Sequence, residues 1–191
     1  MSLGVWQWLH DASPGQAAFV GSLTGTAIGL IALLLGALFN AHLNRKRDDR
    51  LRREEQRSVA TALKAELAGF SRALLSHSEA LKKETKSPEF LMPDLARSIR
   101  IMPQMISKFG LLDQKTIESV ASAYSALEHY GENLLALAGH VEDLVTPGIG
   151  NRRLVSVPAK DAPRVIEMNS GVLDLTQKAI AQLNVFLGSI R

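Results

Sequence analysis

Between Gln16 and Leu43 the chain carries no Asp, Glu, Lys or Arg, and within a few residues it turns into the dense charge of "NRKRDDRLRREEQR". An uncharged run of Leu, Ala, Gly and Ile needs something apolar to cover it. At 1.5 Å per residue the roughly 23 residues from Ala17 to Phe39 span about 35 Å as a helix, enough for the core of a bilayer. A buried core helix seldom runs so far without a charge, so the expectation is a transmembrane helix over residues 17–43. Ser13, Pro14 and Gln16 supply an N-cap, a proline at the first helical position and a capping-box partner. Trp6 and Trp8 stand ahead of it where interfacial anchors belong. A cleaved signal peptide fits poorly: no Lys or Arg precedes the apolar run, the run is too long, and Phe39 occupies a position that a cut after Ala41 needs to be small.

The charge has an address. Arg45, Lys46, Arg47, Arg50, Arg52, Arg53 and Arg57 are opposed in the same stretch by Asp48, Asp49, Glu54 and Glu55, and this block accounts for the whole net charge of +3. The remainder is balanced, which argues against a nucleic-acid-binding domain. Basic residues flanking a membrane segment stay on the cytoplasmic side. The expected topology is therefore a single pass of the cell inner (plasma) membrane, with residues 1–16 translocated and everything after Asn44 cytoplasmic. Arg45, Lys46, Arg47 and Arg50 are the residues expected to meet anionic lipid headgroups.

Within the apolar run Ala18, Gly21, Ser22, Gly25, Gly29, Ala32 and Gly36 recur at steps of three and four and fall within about 100° of arc. Gly21, Gly25 and Gly29 make a doubled GxxxG. In lipid, where apolar burial does not drive association, such a groove lets backbones approach closely. The expected partners are membrane lipids, further copies of the chain in a homo-oligomer, and a cytosolic or membrane protein.

The fold class expected is all-α. Residues 44–58 continue the membrane helix as a charged stalk, supported by Asp48–Arg52 and Asp49–Arg53 in the favourable acid-to-base order. Residues 59–191 form a cytosolic antiparallel helical bundle. Its first helix carries Ala60, Leu63, Leu67, Phe70, Leu74, His77 and Leu81 and ends near Lys83. Pro88, Pro93 and Pro103 leave room for one or two short helices and a turn at Gly110. A second long helix starts at the N-cap Asp113, carries Ile117, Val120, Tyr124, Leu127, Leu134, Ala138, Val141 and Val145, and stops at Pro147. A loop follows, with Leu154–Val157 its only strand-like piece, and a last helix starts near Pro163.

The search for chemistry is mostly negative. The chain has no cysteine, which excludes disulfides, thiolate metal sites and cysteine nucleophiles. No P-loop, GxGxxG after a strand, HExxH or GxSxG occurs. His129 and His140, with His77 across a bundle, are candidate ligands for a metal or haem. Glu128 and Glu132 form an i,i+4 acidic pair of the kind used in di-iron bundles. Arg152 and Arg153 are candidates for holding an anion. Each of these has a plainer reading as solvated or singly hydrogen-bonded surface, and no catalytic, metal or cofactor residue is assigned.

The order of features, an apolar Gly/Leu helix running into "NRKRDDRLRREEQRSVATALKAEL" and later "KFGLLDQKTIESVASAYSAL", resembles uncharacterised bacterial single-pass membrane proteins with a charged helical stalk and a cytosolic helical domain. The resemblance covers residues 17 to about 137 and implies placement and helical architecture, with no activity. The expectation is a non-enzymatic, membrane-anchored interaction module that self-associates through the glycine face and presents its cytosolic part to a protein partner. A membrane-active effector, pore-forming or phage-defensive, is the alternative, and a metal- or haem-binding bundle the second.

Overall fold

The computed structural model describes residues 13–83, 88–146 and 150–190; Trp6 and Trp8 lie outside them. The chain is mostly helical and carries one small antiparallel sheet. The elements run α1 (Pro14–Lys83), β1 (Glu89–Pro93), a 3-10 turn (Ala96–Ser98), α2 (Ile101–Met105), a second 3-10 segment (Ile106–Leu111), α3 (Gln114–Leu137), β2 (His140–Thr146), β3 (Gly150–Pro158), a 3-10 turn (Ala159–Asp161) and α4 (Ala162–Ser189). The chain divides into two compact units, Met1–Leu51 and Arg52–Arg191.

The second unit is organised by α1. Leu63, Leu67 and Leu74 are fully buried at steps of four and seven, with Ala60, Phe70 and Leu81 completing the row. This is the spacing that keeps one helical face toward a core. Opposite it α3 buries Val120, Tyr124, Leu127 and Leu134, and α4 buries Val165, Val172, Leu183 and Phe186, all in one cluster. Asp113 caps α3 as expected: its carboxylate accepts from the Thr116 amide at 2.8 Å. α1 ends at Lys83 and α4 begins one residue ahead of Pro163, as the sequence pattern predicts.

The all-α expectation holds only in part: the chain is mostly helical, but it also carries a three-stranded sheet. Its strand order is β1-β3-β2, both pairings antiparallel. Helix α3 stops at Leu137 and does not run on to Val145. Val141 and Val145 sit four apart, so they match a helical period, but Gly139 precedes them and releases the chain from the helix. Ala138 is already extended (φ −66°, ψ 130°), and the Gly139 amide donates to the Ser156 carbonyl at 2.9 Å. That bond carries the chain from helix to sheet. The strand-like piece Leu154–Val157 is part of a longer strand: the loop residues around it, from Gly150 on, pair with it along their whole length as the central strand β3. β1 arises in the proline-broken stretch. Pro93 is tolerated there because β1 is an edge strand. Phe90 and Met92 point into the core and Leu91 points out. Gly110 does not make a turn of its own but lies inside the Ile106–Leu111 segment.

Glycine does opposite things at two helical positions. At Gly131 a Cβ would lie 2.6 Å from the Ala96 Cβ and 3.1 Å from the Asp94 carboxylate, so α3 meets the 3-10 turn there backbone to side chain. At Gly171 a Cβ would meet nothing within 4 Å. Gly131→Ala is therefore expected to destabilise the protein by about 1–3 kcal/mol through overpacking. Gly171→Ala should stabilise it by roughly 0.5–1 kcal/mol through helix propensity. Denaturant titration of the two variants checks the opposite signs.

Candidate functional site: an uncovered apolar segment and its basic border

From Pro14 on, the first unit is one stretch of helix whose local sequence explains both its start and its surface. The Ser13 amide donates to the Gln16 side-chain carbonyl at 3.2 Å, the Gln16 half of the expected capping box, while the Gln16 amide donates to the Ser13 backbone carbonyl at 2.9 Å in place of the Ser13 hydroxyl. From Ala17 to Phe39 the only polar side chains are Ser22, Thr24 and Thr26. Thr24 donates to the Val20 carbonyl and Thr26 to the Ser22 carbonyl, each one turn back. Both hydroxyls are thus satisfied inside the helix, the condition for placing them in a medium without water.

Among the described residues, the Phe, Leu and Ile side chains of this stretch have no protein cover. Leu33 is 73%, Leu38 67% and Phe19 66% exposed. The most apolar window of α1 has a mean hydropathy of 2.1 and none of it is buried. A core helix of a water-soluble protein of this composition would be mostly buried. Among the described residues α1 is the one helix long and apolar enough to cross a membrane.

The small-residue face is likewise open. Ala18, Gly21, Ser22, Gly25, Gly29, Ala32 and Gly36 are all exposed, and a Cβ at any of the four glycines would meet nothing within 4 Å. Arg45, Lys46, Arg47 and Arg50 follow on the same helix, also exposed.

In the second unit the structure separates the residues singled out for metal or anion binding. His140 is on β2, because α3 has already ended, and not on a shared helical face with His129. His129 Nδ1 lies 2.7 Å from the Ser125 carbonyl of its own helix. His77 lines a groove of about 320 Å³ with Ala80, Leu81 and β1, and burial holds its imidazole below its ordinary pKa. Glu128 and Glu132 are exposed on α3. Among the described residues no group of three His, Cys, Asp or Glu side chains converges on a metal position. Arg153 faces Asp143 across the β2–β3 pair and donates to it from Nε at 3.0 Å, so it is occupied by a carboxylate of the chain itself. Arg97 approaches the same carboxylate at 3.6 Å. The side chain of Arg152 is outside the described set.

Two polar centres escape the sequence reading. Arg57, in the basic block, donates to the Ile190 carbonyl at 2.7 Å, placing a cation on the C-terminal end of α4 where the helix dipole favours it. Glu66 accepts from the amides of Arg100 and Ile101 and from the Tyr124 hydroxyl at 2.7, 2.8 and 2.6 Å. Burial, and then the bond and charge of Glu66, push the Tyr124 hydroxyl well above the ordinary tyrosine range. Neither centre has a spacing signature, since each partner is more than 30 positions away.

The hydrogen bond from Arg153, and then the charges of Arg153 and Arg97, hold the Asp143 carboxyl below the usual carboxylate value. A depressed folded-state pKa stabilises the fold above the unfolded carboxylate pKa, and that contribution disappears as pH falls through the depressed value. The Asp143 carboxyl should therefore titrate below 3.8 by NMR, and Arg153→Met should move its midpoint upward. Comparison of the chain with protein-family models, with curated proteins and with solved structures finds no match.

Proposed function

We propose that the protein is a membrane-anchored interaction module: a single transmembrane helix associates with copies of itself, and a cytosolic helical domain is presented to a partner protein. The observation that carries this reading is the helix segment from Phe19 to Phe39, whose large apolar side chains stand uncovered while its threonine hydroxyls are satisfied internally. A bilayer supplies the missing cover at the right thickness. The basic border at Arg45, Lys46, Arg47 and Arg50 supports an N-terminus outside and a C-terminal domain in the cytosol, with those side chains against anionic headgroups. Alkaline phosphatase fused after Arg191 should be inactive in cells. Periplasmic activity of that fusion would reverse the orientation.

Self-association follows from the open face. Gly25 and Gly29 permit close backbone approach, and with nothing of the same chain against them the groove is available to another helix. Gly25→Ile or Gly29→Ile should weaken association, whereas Leu30→Ile and Leu34→Ile, on the opposite face, should be silent. Cysteines introduced at Ser22 and Ala32 should cross-link between chains and those at Leu23 and Leu34 far less, with no native thiol to compete. Equal cross-linking on both faces would make the protein a monomeric tether. Depolarisation of cells on induced expression, dependent on Gly25 and Gly29, would instead favour the pore-forming effector.

A further inference from the structure

Residues 96–111 are held without a fully buried side chain of their own. The flanking Leu95 and Leu112 are buried, but between them not one residue is. The two 3-10 segments and α2 rest on the core through half-buried side chains such as Ile99, Met102, Met105 and Phe109. Their own hydrogen bonding is weak: 3-10 turns have poor geometry, and α2 is only five residues long. Neither Arg100 nor any other side chain of the segment caps α2.

The cap comes from another helix. One Glu66 oxygen accepts from the Arg100 and Ile101 amides, and the other accepts from the Met102 amide at 3.2 Å and from the Tyr124 hydroxyl. One carboxylate on α1 thus takes up three amides at the start of α2 and ties them to α3. Such charge-assisted bonds to the unpaired amides of a helix start are the strong kind. At the start of the segment Ala96 also rests against Gly131 and Arg97 lies 3.6 Å from Asp143, and the other fastenings are slighter. Gln56 donates to the Leu111 carbonyl at 2.9 Å, and the Lys108–Glu55 pair is half-exposed on both sides and so contributes little.

We propose that residues 96–111 form a strap that opens as a unit about its buried ends, Leu95 and Leu112, with Glu66 as the latch that sets how often it does so. A segment with no fully buried residue gives up little core on leaving, whereas α3 and α4 open only with the whole fold. Opening bares the core surface beneath Met102, Met105 and Phe109. The device goes beyond the interaction reading and does not depend on it, because opening is measured on the protein alone.

Amide hydrogen exchange on the full chain in detergent micelles or nanodiscs tests it. In the native protein the amides of residues 99–111 should exchange at least about tenfold faster than those of Val120–Leu134. Glu66→Gln keeps the shape but removes the charge, and should accelerate the strap by roughly a further tenfold while leaving α3 and α4 unchanged. Tyr124→Phe, which removes one of the four bonds, should accelerate the same amides by a smaller factor, and it serves if Glu66→Gln does not fold. Strap amides that exchange as slowly as α3, or acceleration that spreads equally over α3 and α4 in whichever variant folds, would overturn the proposal and make Glu66 an ordinary part of one cooperative core.

Discussion

Burial of one row of side chains on α1, from Ala60 through Leu63, Leu67 and Leu74 to Leu81, is the contact on which the second unit depends. α3 and α4 meet this row with rows of their own, and the sheet adds Phe90, Met92, Val155 and Val157 to the same cluster. A core of this kind is close-packed, so its tolerance at any point depends on how near the next backbone lies. Gly131 and Gly171 mark the extremes: the first sits against Ala96 and Asp94, the second against open space.

Polar groups do the work where apolar rows run out. Arg57 meets the last carbonyl of α4, Asn169 donates to Ser78 across the core, and Glu66 gathers the start of α2. Each joins segments far apart in the chain, and each satisfies a backbone or amide group that would otherwise be buried at a cost. The strap between Leu95 and Leu112 is the limiting case. It has no fully buried side chain of its own and a concentrated polar fastening at the start of α2, which is why a single carboxylate can govern it.

The first unit reverses these terms. Its apolar side chains point outward along Phe19–Phe39 and its few hydroxyls turn inward to their own helix. In water such a surface is unfavourable by the full hydrophobic term; in lipid it is the natural one. The same reversal underlies the proposed self-association: where leucine gains nothing by leaving lipid for leucine, close backbone approach through Gly25 and Gly29 is the source of attraction it draws on.

Much of this was legible in the chain before any coordinates, and the reason is periodicity. An uncharged run of membrane length, its cap at Ser13–Gln16, the end of α1 at Lys83, the Asp113 cap and the rows of α3 and α4 are local patterns that a helix imposes on its own sequence. The small-residue face and its basic border were legible in the same way. The sheet was not. His140–Thr146 fits a helical spacing as well as a strand, and only pairing with Gly150–Pro158 decides between them. The Glu66 latch and the Arg57 cap were invisible for the same reason, since a hydrogen bond between residues 34 or 133 positions apart leaves no trace in local spacing. By itself the sequence determined where the long helices begin and which segment shuns water, because those follow from nearest neighbours along one helix. Tertiary structure alone decided where α3 ends, how the strands pair and where the polar ties fall, because their energy exists only when separate segments meet.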